Sequence, residues 1–412
     1  MASYLQRFDA TPVAERWPLV RGWMFEQPLP FFAELRQLRP ILVMPELTLA
    51  ARFDDCTEIL RRHDVFSVAL YKPKQGDYWM AQDDTAAHWR DKSIMRAILD
   101  REDIPAIRAY VANKTVALLA AAGGSVEAVA GLTRAVPLAL VQDWFGLTGI
   151  EPAALCKWSY WSQIDAFWNQ PFDAIAWSDP GKIVTEREVA NVEMAAYLIA
   201  LVGRREGELR IGAGGHDPVT RLLALSSSKA LKFDLSRVVL NIGGLLIGAV
   251  ETTSHAVVNA LDFLLQRPDD LARARAAALS DDAPAVDGFV FEALRFRPAF
   301  PYFFRSCEQD TVLGRGATYE TPIAKGATVL AVTHSAMFDP QALSNPDDFD
   351  PTRGPGNQFH FGFGLHECLG RAIAQVMIPE IVRQSLRLNG LSVGLVDRKG
   401  GPVPESWQWR WN

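Results

Sequence analysis

Apolar residues recur along most of the chain at intervals of three and four, the spacing of a helix with one buried face. This spacing runs through residues 151–168, 184–209 and 234–267. The third stretch begins at Asp234, a residue type that caps helix starts, and stops before Pro268. It predicts a single helix of about 33 residues, long enough to cross the middle of a domain.

Segments that favour β-strands are few and short. They lie at 40–53 and 317–333, and Lys325-Gly326 between two β-favouring runs predicts a hairpin. Residues 338–360 are rich in Pro, Asp, Gly and Asn, which predicts an irregular segment. Because we find no repeat or low-complexity linker, we expect residues 1–412 to form one mainly α-helical domain.

Composition and charge narrow the classes of function. The chain is 49% hydrophobic with a net charge of −6, which argues against general nucleic-acid binding. The longest uncharged apolar run, 238–250, is shorter than the roughly 20 residues of a membrane span. The four cysteines are far apart, with no CxxC pair and no sign of a disulfide framework. We therefore expect a soluble, cytoplasmic protein.

The segment FGFGLHECLG, residues 361–370, combines three glycines with Cys368 just before a helical pattern. Unpaired N–H groups and the helix dipole favour a thiolate there. The glycines allow the backbone to pass close beneath a flat, bulky group. From the residues alone, the cysteine could be a nucleophile, a metal ligand or a buried core residue.

The pattern F-x-x-G-x-H-x-C-x-G, carried by Phe361, Gly364, His366, Cys368 and Gly370, resembles the haem-ligand loop of the cytochromes P450. The resemblance implies the cytochrome P450 fold, mainly α with a small β-rich region near the N-terminus. It implies that Cys368 is the thiolate ligand of the iron of haem b, and that His366 donates to a haem propionate. An anionic sulfur ligand favours O–O cleavage over reversible oxygen binding.

Two further segments resemble structural parts of the same family. Glu292-x-x-Arg295 in FEALRFRP is similar to the family's buried Glu–Arg pair, and Arg353 in FDPTR is similar to its third member. The implied role of these three residues is to hold the cysteine loop in place.

The segment GAVETT, 248–253, resembles the family's oxygen-binding stretch. The resemblance implies that Thr252 holds water at the oxygen site and that Glu251 relays protons from solvent. A threonine within a helix can also simply bond back to its own backbone and bend the helix. Ala249 stands where the family usually has glycine.

Residues 84–99 resemble the helix in which H-x-x-x-R binds a haem propionate. His88 matches this motif, whereas Lys92 replaces the arginine and keeps its charge without the forked geometry. Arg305 occupies the place of another propionate-binding arginine. The resemblance implies that these three residues and His366 neutralise the two propionates.

The resemblance also places several aromatic-rich segments over the substrate face of the haem. They include Trp79, Phe167 and Phe300, and Ala249 lies in the adjoining long helix. Aromatic rings around a ligand favour a compact, mostly apolar molecule.

The implied activity is monooxygenation, in which one oxygen atom of O₂ enters a C–H bond of the substrate. The implied electron donor is a separate ferredoxin or flavodoxin with its reductase. Arg90, Arg96 and Arg371 could form a docking patch for it, or they could simply belong to a solvated face. Two alternatives stay open. One is a haem-thiolate peroxygenase or isomerase that needs no reductase, and the other is a non-catalytic haem sensor.

Overall fold

The computed structural model describes residues 3–99, 101–354 and 356–412, without the side chain of Lys229. Helices dominate this part of the chain. In chain order they are α1 (Tyr4–Ala10), α2 (Val13–Glu26), α3 (Pro28–Leu38), α4 (Phe53–Arg61), α5 (Lys72–Gln75), α6 (Ala86–Ile98), α7 (Ile104–Ala122), α8 (Ala135–Asp143), α9 (Pro152–Trp168), α10 (Pro180–Arg210), α11 (Pro218–Ser226), α12 (Leu235–Ala249), α13 (Glu251–Leu265), α14 (Pro268–Leu279), α15 (Asp287–Phe296), α16 (Thr333–Ala336) and α17 (Arg371–Leu386).

The strands are short. They are β1 (Ile41–Val43), β2 (Thr48–Ala50), β3 (Phe66–Ser67), β4 (Ser125–Glu127), β5 (Phe303–Cys307), β6 (Thr311–Leu313), β7 (Thr321–Ile323), β8 (Thr328–Ala331), β9 (Ser392–Val393) and β10 (Gln408–Arg410). The described residues divide into two compact units.

Unit 1 consists of the described residues up to Thr85 together with Arg295–Cys368. Its main sheet has the strand order β1-β2-β8-β5-β3, in which β1 and β2 are antiparallel and β2 and β8 are parallel. Most of the residues of these strands are buried, as expected for a sheet covered on both faces. The predicted β-rich region near the N-terminus is confirmed.

The predicted hairpin across Lys325-Gly326 is wrong. The chain does turn there, and the N–H of Gly326 donates to the carbonyl of Cys307 at 2.7 Å. However, β7 pairs with β6, whereas β8 pairs with β2 and β5. The turn therefore leads from one sheet into another, a partner choice that the local sequence does not specify.

Unit 2 consists of Ala86–Leu294 and Leu369–Asn412, with most of the helices and the small sheet β4-β10-β9. The helices predicted over 151–168 and 184–209 are confirmed as α9 and α10. The third predicted helix begins as expected, because the Asp234 carboxylate accepts a hydrogen bond from the Arg237 N–H at 3.0 Å. It is broken at Val250, however, into α12 and α13.

Side-chain hydroxyls supply a physical reason for this break. The Thr252 hydroxyl donates to the Gly248 carbonyl at 2.5 Å, and the Ser159 hydroxyl of α9 donates to the Leu246 carbonyl at 3.3 Å. Such bonds satisfy carbonyls that the helix ladder releases where it opens. The apolar spacing continues across Val250, so the break is not visible in it.

The α12–α13 segment, Leu235–Leu265, is long and apolar enough to cross a membrane by length and composition alone. The core helix of a soluble protein meets the same two criteria, so length and composition are only weak evidence for a membrane span.

Candidate functional site

The loop 361–370 in unit 1 is shaped by glycine and by backbone hydrogen bonds. Gly362 and Gly364 have φ values of +72° and +71°, a region that other residues rarely adopt. A Cβ atom on Gly364 would lie 2.8 Å from the Leu60 carbonyl oxygen of α4. The N–H of Cys368 donates to the Phe361 carbonyl at 2.8 Å and closes the loop. A residue with a side chain would not fit at position 364 without a shift of the backbone.

Cys368 differs from the other three cysteines in its exposure. Its side chain is exposed and lies two residues before Gly370, the N-cap of α17. The buried Cys56 and Cys307 thiols donate to carbonyls at 3.3 and 3.1 Å, and burial raises the pKa of the Cys156 thiol to about 11. Cys368 is therefore the cysteine best placed to present a sulfur to a bound group.

Two of the predicted propionate contacts lie in unit 1. Arg305 is buried on β5, and its guanidinium donates to the Phe304 carbonyl at 2.8 Å. Burial lowers the pKa of Arg305, because a cation in the interior lacks water. Such a group favours an anionic partner, and a propionate is one. His366 is half-buried in the short turn Gly364–His366.

The other two predicted propionate contacts lie in unit 2. His88 and Lys92 are both buried, one turn apart on the same face of α6. Their neighbour Asp91 was not predicted as part of the site. Its buried carboxylate accepts hydrogen bonds from Arg237 and Asn241 of α12 and from Arg90. This cluster fixes α6 against α12. No short motif marks it, since Arg237 is 146 residues away in sequence.

At the helix break, the structure gives Glu251 and Thr252 different surroundings. The Thr252 hydroxyl bonds back to its own helix, as described above. Glu251 is buried, and its Oε2 accepts a hydrogen bond from Nε of Arg134 at 3.0 Å and lies 2.9 Å from Nη2 of the same side chain. Burial raises the pKa of Glu251, and the charge of Arg134 offsets part of that increase. The second oxygen, Oε1, has no hydrogen-bond partner among the residues that the structure describes.

Arg134 also approaches the C-terminal segment of unit 2. Its Nη2 lies 3.8 Å from the Glu405 carboxylate, which accepts a hydrogen bond from the Tyr160 hydroxyl at 2.6 Å. The guanidinium lies over the Tyr160 ring, 5.2 Å from its centre. The sequence does not predict this group, because each of Arg134, Tyr160 and Glu405 belongs to a different element and none lies in a recognisable motif.

Arg295 and Arg353 in unit 1 both bind carbonyls of the irregular segment that precedes the cysteine loop. Arg295 donates to Met337, Pro346 and Asp348, and Arg353 donates to Ser344 and Asn345. Glu292, the remaining member of the predicted structural group, is buried on α15. These bonds show how two arginines stabilise a segment without regular structure.

The four predicted substrate contacts differ in burial. Phe300 is half-buried in unit 1, with its ring 6.4 Å from that of Phe303, whereas Trp79 is fully buried. Phe167 of α9 and Ala249 of α12 are half-buried in unit 2. Of the predicted docking residues, Arg96 is exposed and Arg371 is half-buried, and Arg90 is bound to Asp91.

Comparison with known proteins gives a consistent family. A family model described as Cytochrome P450 matches residues 156–388. Cytochrome P450 CYP199A2 of Rhodopseudomonas palustris is 26% identical over 366 residues, which are 85% of this chain and 82% of that protein. The erythromycin C-12 hydroxylase of Saccharopolyspora erythraea is 27% identical over 318 residues, 74% of this chain and 72% of that protein.

Solved structures show the same fold. Cytochrome P450 CYP109Q5 from Chondromyces apiculatus has a TM-score of 0.77 at 21% identity, covering 94% of this chain and 96% of its own. CalO2 has a TM-score of 0.79 at 22% identity, covering 94% of this chain and 97% of its own.

The chain belongs to the cytochrome P450 family. It is a haem-thiolate monooxygenase, an oxidoreductase that uses haem b held by a cysteine thiolate, together with O₂, an organic substrate and redox partner proteins.

Proposed function

We propose that Cys368 holds the haem iron and that residues 1–412 form one catalytic domain, which inserts one oxygen atom of O₂ into a compact apolar substrate. The observation that carries the proposal is the exposed Cys368 thiol in a loop in which two of the three glycines have positive φ. When bound, the haem supplies the redox-active iron at which O₂ is activated. The residues present fit this group, because the loop offers an exposed sulfur and has glycine at positions 362, 364 and 370.

Four basic residues are proposed to hold the haem propionates. They are His88, Lys92, Arg305 and His366, and the first three are buried. The positive charges of these residues and the negative charges of the two propionates would compensate each other. This lowers the free-energy cost of keeping all of these groups away from water.

Thr252 and Glu251 are proposed to control protons. The Thr252 hydroxyl already donates to Gly248, so its oxygen can accept a hydrogen bond from a water on the same side of the helix. Glu251, with a raised pKa and one oxygen outside the Arg134 contact, is suited to take a proton from solvent and pass it on. Arg134 holds the carboxylate in one orientation between transfers.

Three of the predicted substrate contacts are proposed because their side chains are partly exposed. Phe300, Phe167 and Ala249 are half-buried and can meet a ligand, and two aromatic rings favour a compact, mostly apolar one. Trp79 stays a prediction from the sequence, since its full burial indicates contact with protein on every side.

The electron donor is proposed to be a ferredoxin or flavodoxin with its reductase, and the protein is proposed to be soluble and cytoplasmic. Arg96 and Arg371, with Arg90, offer positive charge to an acidic donor. Surrogate ferredoxin and flavodoxin systems would test this. Substrate oxidation that follows NADPH consumption supports the proposal, whereas turnover with peroxide alone, or no turnover at all, would contradict it.

The ligand assignment is tested by Cys368→His. We expect the variant to lose the thiolate-type absorption shift that appears when the reduced protein binds carbon monoxide. Cys156→Ala is the matched control and should keep the shift. A thiolate signature that survives in Cys368→His would refute the assignment.

A further inference from the structure

Helix α10 has an apolar face that is open to solvent along much of its length. Val189, Val192 and Ile199 are 44%, 72% and 63% exposed. Residues 194–203 include no charged side chain, and the other exposed residues of this face are small: Ala195, Ala196, Ala200, Gly203 and Gly207. A surface helix normally turns polar residues to solvent. An exposed apolar face of this kind indicates an interaction surface.

The two exposed valines and the two glycines of this face lie in different halves of the helix. The valines lie in the N-terminal half. Gly203 and Gly207 lie in the C-terminal half, where an added Cβ would meet no atom of the described residues within 4 Å. Val192 and Gly203 are three helical turns apart, and Val189 and Gly207 are five, so each pair shares one angular position. If a second copy packs antiparallel, with its two-fold axis between residues 197 and 198, each valine lies opposite a glycine.

Charged residues beside this face and at its two ends have approximately the same symmetry. Glu193 and Arg204 are three turns apart, with side chains 43% and 46% exposed. Within the chain, Glu193 accepts hydrogen bonds from Lys157 and Trp158, and Arg204 donates to the Thr148 carbonyl. Glu188 and Arg210 are six turns apart and more exposed, and Arg210 lies 2.9 Å from Glu206. In the antiparallel arrangement, each glutamate of one copy lies near an arginine of the other.

We propose that the protein forms a two-fold symmetric homodimer in which α10 of one copy packs antiparallel against α10 of the second. Such an interface uses the same patch twice and is closed by symmetry. In the N-terminal half of α10, Glu186, Glu188 and Glu193 outnumber Lys182 and Arg187, which disfavours an anionic lipid surface as the occupant. The proposal is independent of the catalytic assignments.

Sedimentation of the haem-loaded full chain over a range of concentrations tests the dimer. We expect a mass approaching twice that of the chain. Gly203→Gln places a polar side chain where the partner's valine would pack, and should raise the dimer dissociation constant at least about tenfold. Because glutamine favours helix more than glycine does, the unfolding temperature of the monomer should stay equal or rise. Leu395→Gln, at a residue 95% exposed and outside α10, is the control and should leave the dimer intact.

Charge reversal tests the antiparallel orientation. Glu188→Arg and Arg210→Glu should each weaken the dimer, and the double variant should restore it, because the opposite charges still meet across the axis. Unchanged haem absorption in all variants would show that the fold is retained. The proposal is overturned by a monomeric mass at every concentration, by a dimer that survives Gly203→Gln, or by a double variant that is no tighter than the singles. Binding of a monomeric wild-type protein to phosphatidylglycerol vesicles would overturn it in favour of a membrane contact.

Discussion

The loop 361–370 and the helix break at Val250 are both irregularities of the backbone, but different interactions stabilise them. In the loop, Gly362 and Gly364 adopt positive φ and the backbone bonds to itself. At the break, the buried Glu251 depends on Arg134, which is 117 residues away. The residues that stabilise the loop are neighbours in the sequence. Those that stabilise the break are distributed over separate elements, and their contacts become visible only in the structure.

The largest stability effect is expected at the break. Arg134→Gln leaves the buried Glu251 carboxylate without its cation, and loss of one partner of a buried ion pair costs about 3–5 kcal/mol. Urea unfolding, followed by haem absorption and circular dichroism, measures this cost. Replacing Glu251 as well, in Arg134→Gln/Glu251→Gln, should recover part of it, because no charge then stays buried alone.

A matched control exists at the surface. Arg39 forms two hydrogen bonds with Asp9, at 2.8 and 2.9 Å, with side chains 38% and 53% exposed. Arg39→Gln should cost only about 0–1 kcal/mol, since water replaces the lost partner. Equal costs for Arg134→Gln and Arg39→Gln would mean that the pair at the break contributes little to stability.

A smaller loss of stability is expected from Gly364→Ala in the loop. A left-handed backbone costs alanine about 1–2 kcal/mol, and its Cβ would also lie 2.8 Å from the Leu60 carbonyl oxygen. Gly212 has almost the same φ, +72°, but a Cβ atom there would meet no atom of the described residues within 4 Å. Gly212→Ala therefore has only the cost of the left-handed backbone. We expect Gly364→Ala to cost at least about 1 kcal/mol more than Gly212→Ala, and to lower haem content. Equal unfolding free energies would show that the approach to Leu60 is unimportant.

The same contrast explains what could be predicted from the sequence. The loop, the cap at Asp234 and helices α9 and α10 depend on neighbouring residues, and their patterns predicted them. The residues around Glu251 could not be predicted, because Arg134, Tyr160 and Glu405 meet only when α8, α9, α13 and the C-terminal segment have packed. The prediction of a hairpin at Lys325-Gly326 was wrong for a related reason. The turn is local, but the choice of partner strand is not.

The variant Thr252→Ala tests whether Thr252 controls proton delivery or only bends the helix. The substitution removes the bond to Gly248 but little packing, so we expect haem binding to persist and more of the consumed NADPH to appear as hydrogen peroxide. Thr115 makes the same kind of bond, to the Val111 carbonyl of α7 at 2.7 Å, and Thr115→Ala is the control. The ratio of product to NADPH consumed decides the outcome. An unchanged ratio in Thr252→Ala would leave Thr252 with a structural role only.

The smallest effect concerns buried histidines, which also differ between the two units. His334 in unit 1 has a backbone partner, the Phe296 carbonyl at 3.0 Å, whereas His255 in unit 2 lies 3.4 Å from the Arg398 guanidinium. Burial lowers the pKa of His334 to about 3 and that of His255 well below its usual value. Below the unfolded pKa of about 6.5, the unfolded chain takes up protons that the folded protein refuses. The stability that depends on the neutral histidines is therefore fully present above about pH 6.5, and it falls as the pH decreases toward 3.

For His334 this loss amounts to about 2 kcal/mol between pH 7 and pH 5, since one proton corresponds to about 1.4 kcal/mol per pH unit. His334→Gln keeps a donor for the Phe296 carbonyl but has no group that titrates in this range. We expect the variant to lose about 2 kcal/mol less than the wild type between the two pH values, as measured by urea unfolding at each. Because His255 is unchanged in the variant, part of the acid sensitivity should persist. Identical losses in both proteins would show that His334 is already protonated in the folded state, or that acid unfolding begins in unit 2.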